Sequence, residues 1–223
     1  MNNNQFIKVS IEELEALQPA RKTPLTPFEA YVDLKMLLFG CNRVETRKIQ
    51  DEEKMAWELA LRWFIYDDDS DIDVTKDILF FGDTGRSKTF LAKCLMELGK
   101  RIGERVKPSE RWYYDWNYND LVDLWEQCDE ANTKSYCVPK TVGNWIFDEL
   151  GNEPKELNLF GNRHRFFERI LTVREKGSTP KRAIYISNLS KNEILKYYNS
   201  NRFRSRFLSS LGGAVLFGGV DKR

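Results

Sequence analysis

A chain of 223 residues with 41% hydrophobic content has enough apolar material for one α/β core plus an N-terminal extension, and disorder throughout is excluded. The 35 basic and 34 acidic side chains cancel to a net +1, which argues neither for nor against a nucleic-acid partner. The balance is two-ended, however: 14 Lys and Arg stand against 4 Asp and Glu from Gly161 on, leaving 21 against 30 before it. Four cysteines without a CxxC pair and a single histidine, His164, exclude the spacing of a zinc site or a disulfide framework. The first residues lack a basic-then-apolar signal pattern and no apolar run reaches membrane-spanning length, so a cytoplasmic protein without a membrane partner is expected.

In chain order, residues 1–70 read as an N-terminal arm and helical extension, a candidate for docking a partner. Ser10 to Leu17 is a short helical candidate, Pro19, Pro24 and Pro27 mark a linker, and Phe28 to Phe39 and Asp51 to Tyr66 have apolar residues at helical spacing. The aromatic residues Phe28, Tyr31, Trp57, Trp63 and Phe64 are either a docking surface or core. The acidic run from Asp67 to Asp73 predicts a solvated loop. Residues 71–223 then alternate: strand Ile78 to Phe81, helix Lys88 to Ile102, strand Trp112 to Trp116, helix Asn119 to Cys128, strand Trp145 to Phe147, helix Phe160 to Lys176, strand Ala183 to Ser187 and helix Lys191 to Tyr198. Such alternation predicts an α/β fold, a parallel sheet with helices on both faces.

Gly82-Asp83-Thr84-Gly85-Arg86-Ser87-Lys88-Thr89 follows a strand and opens a helix, the context of a phosphate-binding loop. Glycines let backbone N–H groups turn toward phosphate oxygens and the helix start adds a favourable dipole; Lys88 reaches the β and γ phosphates, and the Thr89 hydroxyl is a magnesium ligand. The expected nucleotide contacts run from Gly82 through Phe90. Ser87 stands where the motif has its second glycine, a substitution expected to strain the loop by roughly 1 kcal/mol. Downstream, Trp145-Ile146-Phe147-Asp148-Glu149 is an apolar strand ending in paired carboxylates, with Asp148 expected in the magnesium shell and Glu149 expected to polarise the attacking water. Ala183 to Ser187 ends in Asn188, placed either to position water or the γ phosphate or as a loop residue ahead of Ser190, a helix cap three residues before Glu193. Arg202-Phe203-Arg204-Ser205-Arg206-Phe207 reads alone as a solvated basic patch or a nucleic-acid contact, and after the other motifs as an arginine finger. The basic residues Arg163, His164, Arg165, Arg169 and Arg174 on one predicted helix are either a single-stranded DNA contact or a solvated face.

The order of Gly82 to Thr89, Asp148-Glu149-Leu150-Gly151, Ile186 to Ser190 and Arg204 to Phe207 resembles the DnaC/IstB-type AAA+ ATPases, bacterial helicase loaders and transposition helpers, over roughly residues 75 to 223. Asn119 to Leu124 and Asn158 to Asn162 look like further segments of that family. The resemblance implies an AAA+ P-loop core with a five-stranded parallel sheet of order 5-1-4-3-2 and little or no C-terminal lid. It implies ATP and Mg2+ as cofactors, Lys88, Glu149 and Asn188 (as sensor 1) in the catalytic site, Thr89 and Asp148 at the metal, and Arg206 as a finger supplied in trans within an oligomer. Partners would be other copies of the chain, a replicative helicase or a transposase, and single-stranded DNA. The function expected is an ATP-hydrolysing helicase loader or remodeller in DNA replication. The alternatives are a transposition helper marking target DNA, or an adaptor gated by nucleotide in which Ser87 has ended hydrolysis.

Overall fold

The computed structural model describes residues 51–64, 70–85, 87–103, 117–126, 143–159, 162–176 and 182–218. Expectations for the arm, for Phe28 and Tyr31, for the strand Trp112 to Trp116 and for Arg86 lie outside these residues.

In chain order the elements are α1 (Asp51–Phe64), β1 (Asp77–Phe81), α2 (Lys88–Gly103), β2 (Asn117–Asp120), α3 (Leu121–Glu126), β3 (Trp145–Asp148), β4 (Leu157–Leu159) and β5 (Asn162–His164). After these come α4 (Phe166–Lys176), β6 (Ala183–Ser187), α5 (Lys191–Tyr198), α6 (Asn201–Ser210) and β7 (Leu211–Leu216). Five strands form one sheet in the order β2-β3-β6-β1-β7, and each neighbouring pair is parallel. Strands β4 and β5 make a separate antiparallel pair.

The strand period of two explains why both faces are covered. Ile78 and Phe80 of β1, Ile146 of β3, Ile184 and Ile186 of β6 and Val215 of β7 join one core cluster with α1 and α2. The alternate positions Leu79, Trp145, Phe147, Ala183 and Tyr185 join the other with α3, α4, α5 and α6. A parallel sheet buried this way needs apolar residues at nearly every position, and β1, β3 and β6 supply them.

Helix α1 is built into the first cluster rather than standing apart from it. Trp57, Ala60, Leu61 and Phe64 recur at the three- and four-residue spacing of a single helix face and are buried, as is Trp63. These aromatic residues are therefore core and offer no docking surface. Arg182 fastens the end of the helix from the opposite side. Only 2% exposed, it donates from Nη1 to the carbonyls of Trp63 (2.6 Å) and Val74 (2.8 Å) and from Nη2 to that of Phe64 (3.0 Å), with its guanidinium 4.2 Å from the Trp63 ring. It thus satisfies carbonyls that a helix C-terminus leaves without intrahelical partners.

Two predicted elements differ from the sequence reading, and two further elements carry no prediction. Asn119 and Asp120, predicted to open a helix, end strand β2, and the helix starts at Leu121. Asn162 to His164, predicted as helix, form a strand that pairs antiparallel with Leu157 to Leu159, and the following helix begins at Phe166 instead of Phe160. Arg202 to Phe207 lies within helix α6, where Ser200 caps by accepting from Phe203 N (3.2 Å) and Phe203 and Phe207 bury one face. Strand β7 was not located from the sequence. Its Gly212 is needed by a close approach, since a Cβ there would stand 2.2 Å from the carbonyl oxygen of Asp73.

Candidate active site

Because all five strands of the main sheet run the same way, their carboxyl ends share one edge, and the residues just past them converge there. Gly82 follows β1, Glu149 follows β3 and Asn188 follows β6. Gly82 (φ 132°) lies against the end of β7, where a Cβ would be 2.3 Å from the Phe217 carbonyl oxygen. Gly85 (φ 81°) and Ser87 (φ 68°) both lie in the left-handed region, so the serine occupies a backbone conformation that its β-carbon disfavours. The expected strain is present at the residue where the motif calls for glycine.

Lys88, 6% exposed, closes the loop on itself. Its ammonium donates to the carbonyls of Gly82 (2.5 Å) and Asp83 (2.7 Å) and to Asn188 Oδ1 (3.2 Å), which draws the end of β6 to the phosphate loop. Thr89 at the start of α2 donates from Oγ1 to Asp148 Oδ2 at 2.8 Å, and Asp148 Oδ1 accepts from Glu149 N at 2.9 Å. The loop, the carboxylate strand and the asparagine strand are thereby joined by side-chain hydrogen bonds. Phe90 turns away from them and packs against the core.

Glu149 (φ 62°) is half-buried and accepts from Asn152 Nδ2. Partial burial, and then the negative charge of Asp148, raise its carboxyl above the ordinary value; the Asn152 contact opposes this. A group that must attract a proton from water gains basicity from such a shift. Asp120 at the end of β2 is a third carboxylate on this edge. It is paired in register with Asp148 and raised by burial, while its Oδ1 accepts from Val122 N at 2.8 Å. Sequence reasoning missed Asp120 because it placed that residue inside a helix; a strand ending at Asp120 would have put it beside Asp148.

The hydroxyl of Thr89 and the carboxylate of Asp148, 2.8 Å apart, are hard oxygen donors of the kind that would hold a magnesium ion. Among the described residues no group of three or more His, Cys, Asp or Glu side chains has metal-holding geometry.

Arg206 lies elsewhere. It projects from α6 at the amino edge of the sheet, where its Nε donates to Glu175 Oε2 at 2.7 Å beside a cavity of about 250 Å³ lined by Lys76, Asp77, Arg174 and Ser210 among others. It is thus remote from Lys88 of its own chain. The basic stretch predicted as one helix is divided, with Arg163 and His164 on β5 and the rest on or next to α4. Arg165 pairs with Glu156 and Glu168, both at 3.6 Å, and Arg174 is buried against Asp77 at 3.9 Å, out of reach of a polymer's phosphates. No protein-family model and no curated protein matches the chain. No described helix is long and apolar enough to cross a membrane.

Proposed function

We propose that the protein is an ATP-binding and ATP-hydrolysing P-loop enzyme of the AAA+ kind, acting as a loader or remodeller of a replicative helicase. The observation that carries the enzymatic part is the contact set of Lys88 with Asn188 and of Thr89 with Asp148, which joins three separate sequence motifs at one sheet edge. The AAA+ part is supported by topology: numbered along the chain, the five parallel strands read 5-1-4-3-2 from the β7 edge. The helicase partner rests on resemblance, and the remote position of Arg206 suits a finger that serves a neighbouring copy.

In this reading the backbone N–H groups from Gly82 to Phe90 and the ammonium of Lys88 hold the β and γ phosphates, and Lys88 exchanges carbonyl contacts on its own loop for phosphate oxygens. Thr89 and Asp148 hold magnesium, which neutralises charge on the phosphates. Glu149 takes a proton from the attacking water, and Asn188 orients that water or the γ phosphate. The strained Ser87 favours a second reading, an adaptor that binds nucleotide without turning it over.

The test is ATP hydrolysis with magnesium, with and without single-stranded DNA, together with nucleotide binding. Lys88→Ala is expected to lose binding. Glu149→Gln should keep binding and lose turnover about a hundredfold or more. Arg206→Ala should lower turnover by about a thousandfold in the assembled protein and leave nucleotide binding to single copies unchanged. Binding without turnover in the unmodified protein would establish the adaptor, and unaltered turnover in all three variants would refute the assignment of the site.

A further inference from the structure

The turn that carries Glu149 is held from behind by a second glutamate. Glu153 is fully buried, and both of its carboxyl oxygens face donors: Oε2 accepts from Gly151 N at 2.8 Å and Oε1 accepts from the Tyr198 hydroxyl. Its backbone carbonyl accepts from the Tyr197 hydroxyl at 2.7 Å. One buried residue thus ties the turn after β3 to the end of α5, while Asn152, between Gly151 and Glu153, bonds Glu149 through both its backbone N (2.9 Å) and its side chain. Tyr198 in turn stacks on Phe203 of α6, with 4.2 Å between ring centroids.

We propose that Glu153 is a positioning residue for Glu149: as a carboxylate clamped between the Gly151 amide and the Tyr198 hydroxyl it fixes the turn that aims the catalytic carboxyl, and protonation loosens that clamp. The inference rests on the ATPase reading above and adds a regulator of the same site.

Donor geometry favours the ionised form. A backbone N–H cannot turn, so a protonated Glu153 must place its proton toward Tyr198, and the tyrosine must then rotate its own proton away inside a buried contact. The Gly151 bond meanwhile loses its charge assistance, which about halves its strength. The groups facing Glu153 are Tyr198 and Tyr197 of α5 and Asp120 at the end of β2, with Lys155 over the Tyr197 ring at 4.4 Å. Burial, opposed by the Tyr198 and Gly151 bonds and reinforced by Asp120, pushes the carboxyl up to about 7. The two states of the clamp therefore exchange near neutrality.

The experiment compares the unmodified protein with Glu153→Gln and Tyr198→Phe between about pH 6 and about pH 8.5, measuring turnover at saturating ATP, the KM for ATP, and hydrogen exchange at the Gly151 amide corrected for its intrinsic pH dependence. Turnover of the unmodified protein should rise through about pH 7. Glu153→Gln, which mimics the protonated state, should be independent of pH over this range and about tenfold slower at the alkaline end, with KM within about twofold. Tyr198→Phe should move the inflection to higher pH, because a bond that favours the carboxylate is lost. A Glu153→Gln protein that retains the rising profile, or the full rate, overturns the proposal. If the unmodified protein hydrolyses no ATP at any pH, the ATPase reading fails, and exchange decides the clamp alone. Gly151 protection that weakens on acidification and in Glu153→Gln supports it, and equal protection in both proteins at both ends of the range overturns it.

Discussion

Ser87 sits at φ 68° within the phosphate loop, and its side chain sets what the position tolerates. A left-handed residue with a β-carbon costs roughly 1–2 kcal/mol relative to its usual conformations, and a β-branched side chain is the worst occupant. Ser87→Val is therefore expected to lower stability by about 1–2 kcal/mol, or about 2–8 °C in thermal midpoint for a chain of this size. Ser87→Gly should be close to neutral, since relief of strain is offset by the greater freedom of glycine in the unfolded chain. Thermal unfolding of the two variants checks both; a valine variant as stable as the parent would mean that the loop relaxes out of the left-handed region. Much of the candidate site was legible at this scale because its residues follow strand ends. Lys88, Thr89, Asp148, Glu149 and Asn188 could be placed from the apolar runs before them. Asp120 and Glu153 could not, since one was assigned to the wrong element and the other acquires its partners only when α5 packs behind the turn.

At the scale of elements, the strands buried at nearly every residue were the easy part, and the short or glycine-rich ones were hidden. Strands β1, β3 and β6 contain apolar runs of three or four residues, whereas β7 contains Gly212 and Gly213 and β2 reads Asn-Tyr-Asn-Asp. These last two take up strand geometry because a neighbouring strand supplies hydrogen bonds, in β7 with a bulge at Gly212, which periodicity alone does not reveal. Helix α1 teaches the same lesson in reverse. Its periodicity was plain, but its attachment depends on Arg182, more than a hundred residues away. Three carbonyls lean on that one guanidinium, and the planar fork is what reaches them together. Arg182→Lys should thus cost about 2–3 kcal/mol, or roughly 4–12 °C in thermal midpoint, although the charge is kept. The loss should be accompanied by faster hydrogen exchange in α1 than in β6; equal exchange in the two would show that the clamp does not hold the helix.

For the molecule as a whole, the buried acids set how stability answers to pH. Asp77 accepts from Ala183 N (2.7 Å) and the Tyr185 hydroxyl (2.5 Å) at the amino edge of the sheet, and Glu153 lies behind the carboxyl edge; burial raises both above their ordinary values. A raised carboxyl binds its proton more tightly in the folded chain than in the unfolded one. Its stabilising contribution is accordingly complete below the ordinary carboxylate range and is lost as pH rises through the folded value. For Glu153 the window runs from 4.5 to about 7, a span that corresponds to roughly 3 kcal/mol. The thermal midpoint should fall by roughly 6–12 °C between about pH 5 and about pH 8 from this residue alone, with Asp77 adding in the same direction. Glu153→Gln should flatten that fall and leave the variant more stable than its parent at the alkaline end, where the parent buries a charge. Turnover is expected to move the opposite way, because the clamp on Glu149 works best when Glu153 is ionised. An acid that weakens the fold where it best serves the site is the pattern of stability traded for function. Unfolding followed across this pH range in both proteins tests it, and parallel curves for parent and variant would show that Glu153 titrates alike in the folded and unfolded chains.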